Sequence, residues 1–207
     1  MLKSRTITID GVKIWTQRLS YVGELGYELY VDLKNAKKIY ELLIEKGKDF
    51  NLSNCGMHAM DIMRMESGFL HWGHDISPEE NQYQAGLAFT ISNKKDEDFI
   101  GKQALEKIKQ DKVKTRFSMF TLKESEPGKP LLLHDEPIYD GEKIIGRSTS
   151  GNYSFNFKKN LVFGYINNDF SNKELQNKNL FIEVEKKKYP IELPSCRPGR
   201  HPKEVFQ

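Results

Sequence analysis

Cysteine is scarce: the chain carries two, Cys55 and Cys196. They stand far apart and match no metal-ligand spacing, which excludes a disulfide-dense scaffold and a zinc module. A single bond between them stays open, and a reduced, cytoplasmic setting is expected. Long hydrophobic runs are also lacking. Nothing approaches the roughly 18 apolar residues of a membrane span, and no charged-then-apolar leader opens the chain, so neither membrane insertion nor export is expected. Excess charge of one sign is missing too: 32 basic side chains face 29 acidic ones, for a net charge of +3. So balanced a surface has no strong global field, and neither nucleic acid nor a membrane surface is an expected partner. The densest lysine run, Lys186 to Lys188, lies between two strand-like stretches and reads as a solvated hairpin.

Several chemical signatures are absent as well. There is no dinucleotide glycine motif, no phosphate loop and no nucleophile elbow. The histidines His58, His71, His74, His134 and His201 form no metal signature. His71 and His74 are three apart, but Gly73 and Trp72 between them argue for a loop, and no metal site is expected there.

What is present suffices for a core: 38% hydrophobic residues in 207 allow one large domain or two small ones. TITIDGVKIW alternates around Asp10-Gly11, a pair suited to a tight hairpin because both positions tolerate positive φ. Leu29 and Val31 alternate with Glu28 and Tyr30 as in a half-buried strand. Over residues 34–46 the period changes: Ala36, Ile39, Tyr40, Leu42 and Leu43 form one helical stripe ended by Gly47. A second helix is expected from about Ser53, as N-cap, to Glu66, stopped by Ser67-Gly68. A long polar connection, GHDISPEENQYQAG, follows; loops of this length in compact domains are often functional. A short helix near residues 101–110 reads as a hinge. Beyond it come strand-like stretches at short spacing, TRFSMFTL, EPIYDGEKIIGRSTSG, LVFGYI and NLFIEVEKKKYPIEL, as in a small antiparallel barrel or sandwich.

Three segments frame polar groups in apolar or glycine-bearing surroundings. In YVGELGYE, Glu24 and Glu28 are four apart and would share a strand face. A carboxylate there can accept two parallel hydrogen bonds from an amino-substituted heterocycle, or serve simply as a surface carboxylate. In AMDIMRMESG, Arg64 sits among methionines and must reach water or a partner; an ion pair with Asp61, three residues earlier, is the structural alternative. GRSTSGNYS, with Arg147, Ser148, Ser150 and Tyr153, reads as an exposed connection between barrel strands.

At these segments the sequence resembles the glycine cleavage T-protein (aminomethyltransferase) family. The stretches YVGELGYELYV, CGMHAMDIMRMESGFLHWGHDISPEENQYQAGLAF, DFIGKQAL and EPIYDGEKIIGRSTSGNYSFNFKKNLVFGYI keep that family's order. The wording around WGHDISPEE is similar to the modules fused to sarcosine and dimethylglycine dehydrogenases. The resemblance implies an α+β fold: the rear half of a folate-binding domain over residues 1–92, a linker helix over 93–112, and an antiparallel β-barrel over 113–207. It implies tetrahydrofolate as cofactor, with FAD only in a fused or partner domain. It further implies one-carbon (aminomethyl) transfer giving 5,10-methylene-tetrahydrofolate in the complete enzyme.

Carried across residue by residue, Glu28 matches the carboxylate that grips the pterin and Arg64 the helix arginine of the folate cavity, the two converging on one site. Tyr27, Trp72 and Tyr83 would supply its walls, and the stretch from Ser148 through Ser150 to Tyr153 would close over it. The family's catalytic aspartate has no counterpart here, so no catalytic residue is assigned and the chain alone is expected to have little transferase activity. Folate, an aminomethyl donor and a partner carrying the front half and the flavin are the expected associates. The tail LPSCRPGRHPKEVF departs from the family's ending and leaves Arg197 and Arg200 without a role. Two rival readings remain: a non-catalytic folate-binding or assembly subunit, and a methyltransferase or demethylase built on the same fold.

Overall fold

The structure is a computed structural model that describes residues 3–92, 98–111 and 113–194. Cys196, Arg197, Arg200 and His201 lie outside the described residues. Two compact units, Met1–Phe69 and Leu70–Gln207, divide the polypeptide.

The first unit opens with a three-stranded antiparallel sheet, β1 (Lys3–Ile9), β2 (Val12–Arg18) and β3 (Glu28–Tyr30), in that order. Ile9 pairs with Val12, leaving Asp10 and Gly11 as the two-residue loop. Their φ values of 46° and 78° meet the demand of a primed hairpin turn. β3 is shorter than its alternation predicts, and Glu24 lies in the bend before it, so Glu24 and Glu28 do not share a strand. Helix α1 spans Leu33–Gly47, but of its expected stripe only Ile39 is buried. Tyr40 stays 52% exposed, because three short strands offer less surface than the helix's apolar face.

Helix α2 runs Met57–Glu66 and starts later than expected: its N-cap is Gly56, not Ser53. The amides of Ala59 and Met60 both donate to the Gly56 carbonyl, so the helix begins on backbone alone. Its end follows from the glycine. Gly68 takes φ 75°, its amide donates to Met65 O and the Phe69 amide to Arg64 O. This pair of bonds is the Schellman closure that a left-handed residue permits.

In the second unit helix α3 (Lys102–Gln110) precedes a closed antiparallel barrel. Its strands are β4 (Thr115–Leu122), β5 (Pro137–Asp140), β6 (Lys143–Ser154), β7 (Lys159–Asn167), β8 (Leu180–Val184) and β9 (Lys187–Glu192). A short helix, α4 (Asn172–Gln176), links β7 to β8, and the strand order is β4-β7-β6-β5-β8-β9. Phe120, Leu122, Ile138, Ile145, Val162, Ile166 and Ile182 form the barrel core. Closure removes free sheet edges, which a six-stranded sheet of this hydrophobicity would otherwise expose. The lysine run does form a hairpin, turned by Glu185 and Lys186 at φ 50° and 64°.

GRSTSGNYS corrects an expectation. It is not an exposed connection: it lies within β6, and Ser148, Thr149 and Ser150 are all buried. Turn-like composition was overridden by tertiary context, because each hydroxyl finds a partner that sequence alone does not reveal. Two glycines let β6 and β7 approach: a Cβ on Gly146 would stand 2.1 Å from Tyr165 O, and one on Gly164 2.4 Å from Arg147 O. Backbone carbonyls cannot swing away as side chains do. Gly146→Ala is therefore expected to cost about 3 kcal/mol of stability, read from urea unfolding. A loss well under 1 kcal/mol would show that the barrel relaxes around the methyl group.

Candidate functional site

A buried polar arrangement in the second unit centres on Asp75. Residues 71–76 fold into a tight loop: Gly73 takes φ 89°, its amide donates to Ile76 O at 2.8 Å, and Trp72 bridges to Ile76. That loop turns the Asp75 carboxylate inward, to 1% exposure. A carboxylate so buried must collect donors. His71 N donates to Oδ2 at 2.9 Å, Ser150 Oγ donates to Oδ1 at 2.9 Å, and Thr149 Oγ1 donates to Oδ1 as well.

Consecutive strand residues normally face opposite ways, so two adjacent hydroxyls on one carboxylate require an explanation. β6 supplies it with a bulge: Ser148 pairs with Gly164 and Ser150 with Phe163, leaving Thr149 as the extra residue. Bulges re-aim side chains in this manner. Ser148 turns elsewhere, donating to Glu136 Oε2 while its oxygen accepts from the Glu136 amide.

Beside this cluster a cavity of about 270 Å3 is lined by residues including His74, Glu80, His134, Asp135 and Arg147. Asp135 accepts from Arg147 and lies 2.9 Å from His134 Nδ1. The His134 hydrogen bond first, and the Arg147 guanidinium with it, hold the Asp135 carboxyl below the usual carboxylate range. The rings of His71 and His74 stack at 4.5 Å. Among the described residues no group of three or more His, Cys, Asp or Glu is placed to hold a metal ion.

In the first unit the register sets Gln17 opposite Glu28 and Trp15 opposite Tyr30, so these four share one sheet face. Tyr30 OH donates to Glu28 Oε2 at 2.7 Å, and the Trp15 and Tyr30 rings lie 4.7 Å apart. Glu28 also raises the Tyr30 phenol above its ordinary value through that hydrogen bond. Tyr27 lies elsewhere, lining a cavity of about 590 Å3 with Leu29, Thr16 and Leu43. Arg64 is 1% exposed. Its Nε and Nη2 reach Asp61 Oδ1 at 2.9 and 2.8 Å, and its Nη1 donates to Phe69 O at 3.1 Å. The ion pair weighed from the sequence is formed.

The two motifs nevertheless lie side by side. Ser67 Oγ donates to Val22 O at 3.0 Å, and a Cβ on Gly23 would meet Ser67 Oγ at 2.2 Å. The glycine-bearing loop thus packs on the end of α2, while Glu28 and Arg64 themselves occupy different settings, one exposed and one buried. Of the remaining expected residues, Trp72 is 65% exposed, Tyr83 and Tyr153 are half-buried, and Ser150 is committed to Asp75. Sequence reasoning did not single out Asp75, Glu80 or Asp135, and it named Thr149 only as part of the stretch from Ser148 to Tyr153. The one available signal was an acidic residue framed by Gly73, His74 and Ile76 in a long polar loop.

The chain matches the family sequence model described as the GCVT N-terminal domain over residues 1–95 and the glycine cleavage T-protein C-terminal barrel domain over residues 116–198. It is 33% identical over 165 residues to a protein named mitochondrial dimethylglycine dehydrogenase from Homo sapiens, covering 80% of this chain and 19% of that protein. It is 41% identical over 149 residues to a 4-methylaminobutanoate oxidase (formaldehyde-forming) from Paenarthrobacter nicotinovorans, covering 72% and 18%. An aminomethyltransferase from Halothermothrix orenii shares 35% over 164 residues, 79% of this chain and 44% of its own. The chain thus spans about a fifth of the two oxidative relatives and under half of the transferase. The fold matches the crystal structure of the glycine cleavage system aminomethyltransferase T from Bartonella henselae at a TM-score of 0.75 and 22% identity. That match covers 91% of this chain and 50% of the other.

The Asp75 cluster generates a prediction. Thr149→Val keeps shape but removes one hydrogen bond to a buried charge, and should lower unfolding stability by about 2 kcal/mol. Faster hydrogen exchange at the His71 amide should accompany it. Unchanged exchange at that amide would show that the loop does not depend on Thr149.

Proposed function

Because the chain belongs to the glycine cleavage T-protein family, with both its N-terminal-type and its C-terminal barrel domains, we propose that it forms a tetrahydrofolate-binding part of a one-carbon (aminomethyl) transfer module. The observation that carries this reading is the open Glu28 carboxylate on a strand of the first of those domains, beside the aromatic pair Trp15 and Tyr30.

That donor set suits a pterin. An amino-substituted ring presents two parallel N–H donors, which an ionised carboxylate accepts together. Aromatic faces beside the carboxylate can stack on the ring. The Tyr30 hydroxyl already holds Glu28 in place at 2.7 Å, so less side-chain freedom is lost on binding. Arg64 acts differently in this reading. Buried and engaged by Asp61 and Phe69 O, it shapes the end of α2 on which the glycine-bearing loop rests. Tyr27, in the same unit, remains a candidate for the cavity wall; Trp72, Tyr83, Ser150 and Tyr153 belong to the second unit, where Ser150 donates to Asp75.

When bound, tetrahydrofolate supplies the N5 amine that takes up the one-carbon unit, to yield 5,10-methylene-tetrahydrofolate in the complete enzyme. This chain's contribution would be orientation, which lowers a barrier by fixing geometry in advance. Leu25, Tyr27, Leu33 and Phe50 are exposed by 70%, 62%, 92% and 84%. Apolar exposure on this scale in one small unit fits a surface that further polypeptide covers, such as a front half of the domain or a flavin-bearing partner. The purely binding or assembly reading shares the folate site and differs only in turnover. No helix among the described residues is long and apolar enough to cross a membrane.

Calorimetric titration of the full chain with tetrahydrofolate tests the proposal. Glu28→Gln is expected to weaken binding by about tenfold, the loss of roughly 1.4 kcal/mol from a charge-assisted pair. Arg64→Met is expected to lower stability by about 3 kcal/mol, since it strips a partly buried Asp61 of its ion pair. Identical affinity for the Glu28→Gln and unaltered chains would sink the folate site. Robust turnover by the chain alone with an aminomethyl donor would refute the expected dependence on a partner.

A further inference from the structure

The second unit holds another concave region, which the folate reading does not use. The cavity of about 270 Å3 beside Asp75 shares Glu80, Asp135 and Arg147 with a neighbour of about 520 Å3. The two form a groove with a polar end and an apolar end. Glu79 lines the polar end, and Pro137 and Ile144 line the apolar end. Three carboxylates, Glu79, Glu80 and Asp135, face a single guanidinium, Arg147, and the imidazoles of His74 and His134 line the polar end.

The carboxylates are not equally occupied. Asp135 is bound by Arg147 and His134. Glu80 uses only Oε2, which accepts from Ser77 N at 2.8 Å and Ser77 Oγ at 2.6 Å. Among the described residues neither Glu80 Oε1 nor the Glu79 carboxylate has a hydrogen-bond donor. At the junction of the two cavities Glu80 therefore keeps one carboxylate oxygen open to a donor, with the exposed Glu79 nearby on the polar side.

A second, independent feature marks the same place. Tyr165 lines the larger cavity, is 7% exposed, and its hydroxyl has no hydrogen-bond partner among the described residues. Buried hydroxyls nearly always have one. Burial raises this phenol well above its ordinary value, and the charges of Glu80 and Asp75 raise it further. It therefore stays protonated and neutral, with an unused lone pair in a negative field. An N–H donor carrying positive charge would relieve both the phenol and Glu80.

We propose that this groove binds a small alkylammonium ion, its N–H groups donating to Glu80 Oε1 and the Tyr165 oxygen and its hydrocarbon body lying against Pro137 and Ile144. Arg147 stays with Asp135, so its charge is spent and does not repel the ligand. An anion would meet Glu79 and Glu80 first and is disfavoured. A neutral alcohol would satisfy the phenol but leave the carboxylates uncompensated.

The full chain, labelled with 13C on its tyrosine rings, provides the readout, with the Tyr165 signal assigned by its loss in Tyr165→Phe. n-Butylammonium chloride, n-butanol and sodium butyrate are titrated separately at constant ionic strength. The expected result is a saturable shift of the Tyr165 signal with butylammonium alone. Glu80→Gln should weaken that binding about tenfold, and Glu79→Gln, on an exposed side chain that does not endanger folding, about threefold. A Tyr165 response equal for butanol and butylammonium, tighter binding of butyrate, or no saturation with any of the three overturns the proposal. The proposed folate site at Glu28 lies in the first unit and is titrated separately, so the two proposals fail independently.

Discussion

The second unit depends on one buried charge. Asp75 is 1% exposed and gathers the His71 amide and the hydroxyls of Thr149 and Ser150. Unpaired, such a carboxylate would be untenable inside a protein. With its donors it joins a loop to a barrel strand 74 and 75 residues later in the chain. The bulge in β6 makes this possible by turning two neighbouring hydroxyls the same way. The groove that follows is built around that joint, since Gly73, His74 and Thr149 line one end of it. A loop of polar residues thereby acquires a fixed shape from a single acceptor.

The two units satisfy their surfaces differently. The barrel is closed, with Phe120, Leu122, Ile138 and Ile182 fully buried. Ile144 on β6 and Phe155 just after it are exceptions, exposed by 56% and 72%. The three-stranded sheet of the first unit buries Ile14 and Thr16 on one face, yet leaves Trp15, Leu29 and Tyr30 substantially exposed. Those exposed aromatics border the very carboxylate proposed to grip a heterocycle. Exposure and recognition coincide because a ligand, like a partner, is bound by surface that the fold leaves unsatisfied.

Much of the architecture was legible in the residues. Asp10-Gly11 and the Gly68 stop are local devices, and each acts through φ at a named position. The alternation of β8, with Leu180, Ile182 and Val184 inward, needs only the strand period. The Arg64–Asp61 pair was also readable, since three residues on a helix bring side chains together. The exposed-loop reading of GRSTSGNYS failed because small polar residues look alike in a turn and in a buried hydrogen-bonded strand. Ser53 failed as a cap because backbone bonds to Gly56 already start the helix.

The sequence by itself determined the periods, the Asp10-Gly11 turn, the Gly68 helix stop and the family to which the chain belongs. These are local properties or ordered motifs, set by side-chain sterics and spacing. Only the tertiary structure decided that Asp75 meets Thr149 and Ser150, that Glu28 stays open while Arg64 is enclosed, and that Tyr165 is left without a donor or acceptor among the described residues. Each of those depends on groups distant in the chain or on the burial that packing imposes, and neither distance closure nor desolvation is written in a local pattern.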